Sequence, residues 1–415
     1  MSFVTAVNDD RFIAFLRAHP LFAVGLMLLA GYMLARAAGA IRLPEITGFI
    51  LAGLAMGTGG LAILGKGASE ELAVVTEVAL GIIALTIGGE LRLAKLKRVY
   101  RAVGWITAGQ FVLTFAGVSV VLVLLSFPPP FALLLGAVAT TTSPAAVIAI
   151  VQSMRVRGKF VDHLHGTVAL GDAASIAVFG IILAMVPVML GTASSADGLI
   201  WRAIGDLAIS VVLGAVIGFL VFVTTRRQPN PGEVMILTLG FLFLSTALAV
   251  SLGFSPLLMN MAAGAAIANL SAGSTRIFRT LEPLTPPVYA LFFVIAGTKL
   301  NPTLLFSPDV LVLGGAFVAA RWVGKYFGSY IGAALGGSEP GIRRWIGAGL
   351  FAQAGVALGL MLLLQAAAEL DQIPGLSLEV VRTATNVVLL SIFVNEITGP
   401  PIAKVAITRA LELEE

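Results

Sequence analysis

The residue around which chemistry must be sought is Asp172, in the run His165-Gly166-Thr167-Val168-Ala169-Leu170-Gly171-Asp172-Ala173-Ala174-Ser175-Ile176. It sits inside an apolar segment long enough to span a bilayer, roughly 16 Å of helix from the expected start near Val161. A carboxylate at that depth costs about 3 kcal/mol on insertion scales, so it reads as a functional group facing a cavity or polar partner. The alternative is a carboxylate locked in a buried pair. Two further clusters share that depth. In Ala139-Thr140-Thr141-Thr142-Ser143-Pro144-Ala145-Ala146 hydroxyls adjoin a proline, which removes an N–H, frees a carbonyl one turn back and interrupts a helix. In Ala320-Arg321-Trp322-Val323-Gly324-Lys325 two cations lie one helical turn apart, on one face, too far from either end for both to snorkel. Buried cations need anions. Asp172 is the deepest anion, and Glu396 in Val394-Asn395-Glu396-Ile397 is the second; Lys325 could instead reach the cytoplasmic interface.

These residues require a membrane to be buried in, and the composition supplies it. The chain has 415 residues, 58% of them hydrophobic and 12% charged, with a mean hydropathy of +1.00; soluble domains carry about 25% charged residues. The sequence therefore predicts an all-α polytopic membrane protein. Residues 1–20 are expected to be a polar tail, too charged for a signal peptide, and residues 21–415 a single transmembrane domain. Cysteine is absent, which excludes disulfides, thiolate metal sites and cysteine catalysis. Basic residues are scattered through short loops, so nothing points to nucleic acid.

Hydropathy resolves about thirteen spans, near 21–38, 43–58, 70–91, 100–127, 131–152, 161–190, 199–224, 233–251, 254–270, 285–299, 308–336, 342–368 and 378–408. Cations such as Arg36, Arg42, Lys95, Arg155, Arg226, Arg276, Arg343 and Lys404 fall on one side, and few others, Lys66 and Lys299 among them, on the opposite side. By the positive-inside rule the N-terminus is expected outside and the C-terminus in the cytoplasm. An odd count accommodates two inverted six-helix repeats around a linker span at 199–224. The fifth and twelfth spans then correspond, and both are interrupted in the middle, the twelfth at Gly347-Ala348-Gly349-Leu350-Phe351-Ala352-Gln353-Ala354-Gly355. Matched broken helices are the sequence signal of a transporter site.

Secondary candidates are Glu396, Ser175 and Gln353, which lie within these same runs. His163 and His165, at the start of the Asp172 span, are candidate pH sensors because imidazole titrates near neutrality.

Two further stretches, Leu43-Pro44-Glu45-Ile46-Thr47-Gly48-Phe49 and Gly88-Gly89-Glu90-Leu91, together with the order of the spans, resemble the monovalent cation/proton antiporter superfamily. The resemblance implies a thirteen-helix fold with scaffold helices at about 21–91 and 199–299, core helices at about 100–190 and 308–408, and elevator-type alternating access in a homodimer of the plasma (inner) membrane. It implies that Asp172 is the essential carboxylate, that Thr141, Thr142 and Ser143 form the polar break, and that Arg321 or Lys325 compensates charge. Gly171 stands where the superfamily usually has Asp, Asn or Gln, and Ser143 where one branch has Asp.

The function expected from these residues is exchange of a monovalent alkali cation (Na+, K+ or Li+) for H+, with Asp172 alternately holding one or the other. Oxygen ligands suit a hard cation, and Thr142 with Asp172 would be the principal metal ligands. One charge-changing carboxylate implies one-for-one electroneutral exchange. No cofactor is expected beyond the transported ions, and no enzyme activity: an intramembrane aspartyl protease needs a second facing aspartate. The rival readings are a sodium-coupled organic-anion symporter of related fold and a potassium-efflux channel-like system.

Overall fold

The computed structural model describes residues 19–40, 45–57, 72–91, 100–192, 197–270, 275–298, 307–369 and 376–413. Residues 1–18 of the expected tail, and Arg42, Lys66, Lys95 and Lys299, lie outside the described residues. The first helices are α1 (Pro20–Ala40), α2 (Glu45–Met56), α3 (Ala73–Glu90), α4 (Tyr100–Leu124), α5 (Pro129–Thr140) and α6 (Pro144–Met154). Next come α7 (Lys159–Met189), α8 (Asp197–Thr225), α9 (Pro231–Leu252), α10 (Pro256–Leu270), the short α11 (Thr275–Leu281) and α12 (Thr285–Thr298). The chain closes with α13 (Pro308–Leu335), the short α14 (Pro340–Trp345), α15 (Gly355–Glu369) and α16 (Leu378–Leu411).

Over its described part, each hydropathy segment coincides with one helix or one interrupted helix. Among the described residues eight helices are long and apolar enough to cross a membrane, and five shorter ones are apolar. The protein is thus an all-α polytopic membrane protein. Large apolar side chains such as Val212, Val216 and Phe219 stand exposed along α8, as expected of a surface solvated by lipid, where burying polar backbone inside helices is the governing constraint.

The chain divides into two compact units, one of Met1–Leu80 with Glu282–Ser307, the other of Gly81–Leu281 with Pro308–Glu415. In the first, Met27, Ala52, Met56, Val294 and Ile295 form a core. Gly53 and Gly297 let α2 and α12 meet backbone to backbone, since a Cβ on Gly53 would lie 2.7 Å from the Gly297 Cα.

The second unit holds every polar cluster singled out at mid-membrane depth. Its central contact is between α4 and α13. The buried face of α13 reads Phe317, Arg321, Gly324, Lys325, Gly328, Ser329 and Gly332, a spacing of three and four that keeps one stripe inward. Added Cβ atoms at Gly324, Gly328 and Gly332 would fall 2.5, 2.7 and 2.7 Å from the Cα atoms of Thr114, Gln110 and Ile106. Small residues at this spacing let membrane helices approach to backbone contact. The two cations are carried on the same stripe, so the glycines set how deeply they sit. Elsewhere Asn260 Nδ2 donates to Thr246 Oγ1 at 2.9 Å between α10 and α9, and Arg202 lies 4.0 Å from Asp206 as an exposed pair within α8.

Gly332→Val should overpack this contact by about 1–3 kcal/mol and lower the melting temperature in detergent by roughly 5 °C or more. Gly315→Ala on the same helix, where nothing lies within 4 Å, should leave it unchanged or raise it slightly through helix propensity. Equal melting curves for the two variants would show that the glycine stripe does not set the α4–α13 distance.

Candidate functional site

The first helix interruption follows from local sequence. Pro144 pushes the residue before it out of helical backbone and donates no N–H. Helix α5 stops at Thr140, Thr141 is extended at φ −62°, ψ 155°, and α6 restarts at Pro144, the position a helix tolerates best. Ser143 Oγ accepts from the Ala146 N–H at 3.3 Å, an N-cap. The hydroxyls of Thr140 and Thr141 turn back to the carbonyls of Ala137 and Val138 at 2.7 and 2.8 Å. The second interruption has no proline. After α14 the chain makes one 3-10 turn at Ala348–Leu350, runs non-helically through residues 351–354, and resumes at Gly355. The two breaks touch: the Ser143 N–H donates to the Ala352 carbonyl at 2.9 Å.

Breaks inside a bilayer leave carbonyls without partners, and Arg321 takes them. From α13 its Nε donates to Ala139 O at 3.0 Å, one terminal nitrogen to Phe351 O at 2.7 Å, and the other to Thr141 O at 2.9 Å and Ala352 O at 3.5 Å. A planar guanidinium with five donors suits this two-sided task. Asn395 joins from α16, accepting from Arg321 at 3.3 Å and from Trp322 Nε1 at 2.6 Å, while the Trp322 ring stacks on Phe351 at 5.2 Å. Gln353 ties the breaks further, donating to Val138 O at 3.1 Å and accepting from Ser391 Oγ at 2.8 Å and Asn395 Nδ2 at 3.2 Å.

One turn along α13, Lys325 faces Asp172. Its Nζ donates to Thr140 O at 2.8 Å, Thr142 Oγ1 at 2.8 Å and Gln110 Oε1 at 3.1 Å. Asp172, fully buried on α7, accepts the Thr142 N–H on Oδ1 at 3.0 Å. Its Oδ2 is buried and makes no hydrogen bond. Ser175, one turn on, bonds Gly171 O at 2.8 Å and Thr140 Oγ1 at 2.5 Å, stitching α7 to the end of α5. Thr142 thus touches both charges, carboxylate through its N–H and ammonium through its hydroxyl.

The structure therefore gathers Asp172, Thr140 to Ser143, Ser175, Arg321, Lys325 and Gln353 at the crossing of the breaks. It also changes their parts. Neither Arg321 nor Lys325 forms an ion pair with Asp172 or Glu396 within 4.0 Å among the described residues; both donate to neutral oxygens. Lys325 is wholly buried and does not reach the interface. The Ser143 hydroxyl serves its own backbone, that of Thr141 donates to Val138 O and accepts from Gln353 Nε2 at 3.4 Å, and among the predicted hydroxyls only that of Thr142 meets the charged pair. Glu396 is buried with Oε1 unbonded, but Asn395 beside it is the residue that reaches Arg321. His163 Nδ1 sits 2.7 Å from the Lys159 carbonyl. His165 lines a small apolar cavity with Pro144, Val147, Ile148, Val168 and Ala169. Gln110, Asn395 and Thr140 were not singled out by sequence; a buried amide in an apolar span is the signal that could have found the first two.

A carboxylate oxygen held in the dry interior without a donor, near hydroxyl and carbonyl oxygens, can take a proton or a hard cation. Among the described residues no cluster of His, Cys, Asp or Glu fits a resident metal, and no second aspartate is buried.

Known proteins resemble this chain in sequence and in fold. The model of the family described as sodium/hydrogen exchanger, transmembrane, matches residues 24–405. The Na(+)/H(+) antiporter NhaP of Pseudomonas aeruginosa is 29% identical over 204 residues, which are 46% of this chain and 47% of that protein. The chain thus spans about half the length of the curated relative that it matches. The solved structure of the sodium proton antiporter MjNhaP1 from Methanocaldococcus jannaschii at pH 8 superposes with a TM-score of 0.78 at 20% identity, over 95% of this chain and 98% of that one. An electron-microscopy structure of the same antiporter gives 0.72 at 19% identity, over 100% and 98%. At these identities the likeness is one of fold.

Arg321→Lys keeps the charge but cannot bridge carbonyls of both breaks. Each orphaned carbonyl costs about 1–3 kcal/mol, so the variant should melt well below wild type in detergent. Asp172→Asn keeps an acceptor for the Thr142 N–H and breaks none of the Arg321 bonds to the two breaks, and should melt above Arg321→Lys. The reverse order would contradict the assignment of Arg321 as the brace of the crossing.

Proposed function

Since this chain belongs to the transmembrane sodium/hydrogen exchanger family, we propose that it exchanges a monovalent alkali cation for a proton, the two competing for the carboxyl of Asp172. The observation that carries the reading is the buried, unbonded Oδ2 of Asp172 at the crossing of two interrupted helices. Arg321 and Lys325 direct their donors at neutral oxygens, so this oxygen is the open ligand. A cation arriving there replaces its hydration with Asp172 and with oxygens of the first break, Thr142 foremost, because hard cations take oxygen ligands.

The same carboxyl cannot bind both ions at once, and that exclusivity is what couples their movements. Arg321 and Lys325 keep their places on backbone and amide oxygens, so one carboxylate changes charge and the exchange is one-for-one and electroneutral. Matched interruptions in the fifth and twelfth spans support an inverted repeat, with alternating access by elevator-type movement of the core helices. The loop cations favour an N-terminus outside and a C-terminus in the cytoplasm, and the plasma membrane is the location we infer. The scaffold helices would form a homodimer.

In liposomes carrying an internal pH dye, pulses of sodium, lithium or potassium should move protons and pulses of choline should not; Asp172→Asn should fall to the rate of empty liposomes. Proton flux that survives in Asp172→Asn, or none with any alkali cation, would sink the reading. A transport current under equal ion gradients would count against electroneutrality. Because cation binding here must displace a proton, the apparent KM for the cation should rise as pH falls, by up to about tenfold per pH unit on the acid side of the profile. An apparent KM flat from pH 6 to 9 would show that the ions do not share the site.

A further inference from the structure

Lys325 and Asp172 lie on either side of Thr142 and do not bond to each other. In a dry interior an ammonium and a carboxylate attract strongly, so something must hold them apart. An ammonium has three donors, and those of Lys325 are fully used on Thr140 O, Thr142 Oγ1 and Gln110 Oε1. The first two acceptors belong to the helix break that also contacts Asp172. The third comes from α4, which backs onto α13 through the glycine stripe, and it is the one that anchors Nζ from outside the break.

Gln110 is itself buried. The other end of its amide rests against the residue before Asp172: a Cβ built on Gly171 would stand 3.2 Å from Gln110 Nε2. Any side chain at 171 would press on that amide, so the glycine leaves Gln110 the room it occupies.

We propose that Gln110 is a positioning residue of the exchange site, whose amide oxygen holds the Lys325 ammonium off Asp172 and so keeps Oδ2 open to the transported cation, in space that Gly171 leaves free. The inference rests on the exchange reading above. Without an acceptor at 110, one N–H of Lys325 loses its partner, and the unbonded Oδ2 of Asp172 becomes its best replacement. The tethered ammonium then competes with the cation from within the site.

The test is sodium-dependent proton flux in liposomes at one fixed pH, with apparent KM and maximal rate measured for wild type, Gln110→Leu, Gln110→Glu and Gly171→Ala. Gln110→Leu removes the acceptor at similar volume and should raise the apparent KM about tenfold, as expected for a new charge-assisted bond at the ligand oxygen, with the maximal rate within about twofold. Gln110→Glu restores an acceptor and should bring KM back to the wild-type value or below. Gly171→Ala keeps every hydrogen-bonding group and good helix propensity; it should shift KM in the same direction by less, and it decides alone if Gln110→Leu does not fold. An unchanged KM in both Gln110→Leu and Gly171→Ala, or a lower maximal rate at constant KM, overturns the assignment while the exchange reading stands. A wild-type protein that moves no protons with sodium, lithium or potassium overturns both.

Discussion

Backbone carbonyls that have lost their helical partners, at a depth where no water can replace them, are the constraint on which this site depends. Two helices are interrupted at mid-membrane, and each interruption frees carbonyls that would cost several kcal/mol apiece in hydrocarbon. A single side chain from a third helix serves both sets. Arg321 binds carbonyls at Ala139 and Thr141 on one side and at Phe351 and Ala352 on the other. Around it Asn395 holds Arg321, Gln353 spans the breaks directly, and Trp322 braces Asn395 and Phe351. The crossing is therefore a backbone structure closed by a side chain, and the glycine stripe on α13 sets the depth at which that side chain acts.

This arrangement separates two cations that sequence alone treats as equivalent. A guanidinium is planar and forked, so Arg321 can join groups on opposite sides of it; an ammonium is compact and tripodal, so Lys325 fits a cradle of three convergent oxygens. Both are desolvated, and neither is neutralised by direct contact with a carboxylate. Their charge is spread into amide, carbonyl and hydroxyl dipoles, and their influence on Asp172 is exerted through space. A direct pair would have occupied the oxygen that is open in this structure.

Much of this was legible beforehand because depth in a membrane makes charge conspicuous. Asp172 and the Arg321–Lys325 pair stood out in apolar spans, and the Ser143-Pro144 dipeptide specified one interruption outright through its backbone chemistry. The second interruption was readable only as a glycine-rich run, since no proline marks it and its carbonyls are held by partners distant in sequence. Which cation would meet which group was not legible: spacing by four places both on one face but says nothing of the register between α13 and the breaks. The roles of Thr141 and Ser143 were hidden for a similar reason, because a hydroxyl beside a helix end can turn to its own backbone or to a ligand. Gln110 and Asn395 escaped notice because an uncharged amide in an apolar span raises less alarm than an acid, although its buried donors and acceptors make the same demand for partners.

The partition between continuous and interrupted helices has its own mechanical sense. Asp172 stands on α7, an unbroken helix of 31 residues, and is held against the first break by the Ser175–Thr140 bond. Its prospective co-ligands stand on the break, where backbone geometry is not dictated by a helical ladder and is maintained by Arg321, Lys325 and the Ser143–Ala352 contact. On the exchange proposed above, a rigid carboxylate paired with adjustable oxygens would let one site accept either a proton, which needs a single lone pair, or a cation, which needs several oxygens drawn inward. A helix running through Thr142 would tie its N–H to the carbonyl one turn back and deprive Asp172 of that bond. The interruption is thus what frees the Thr142 N–H for Asp172, and the buried Arg321 is what makes the interruption tolerable in a bilayer.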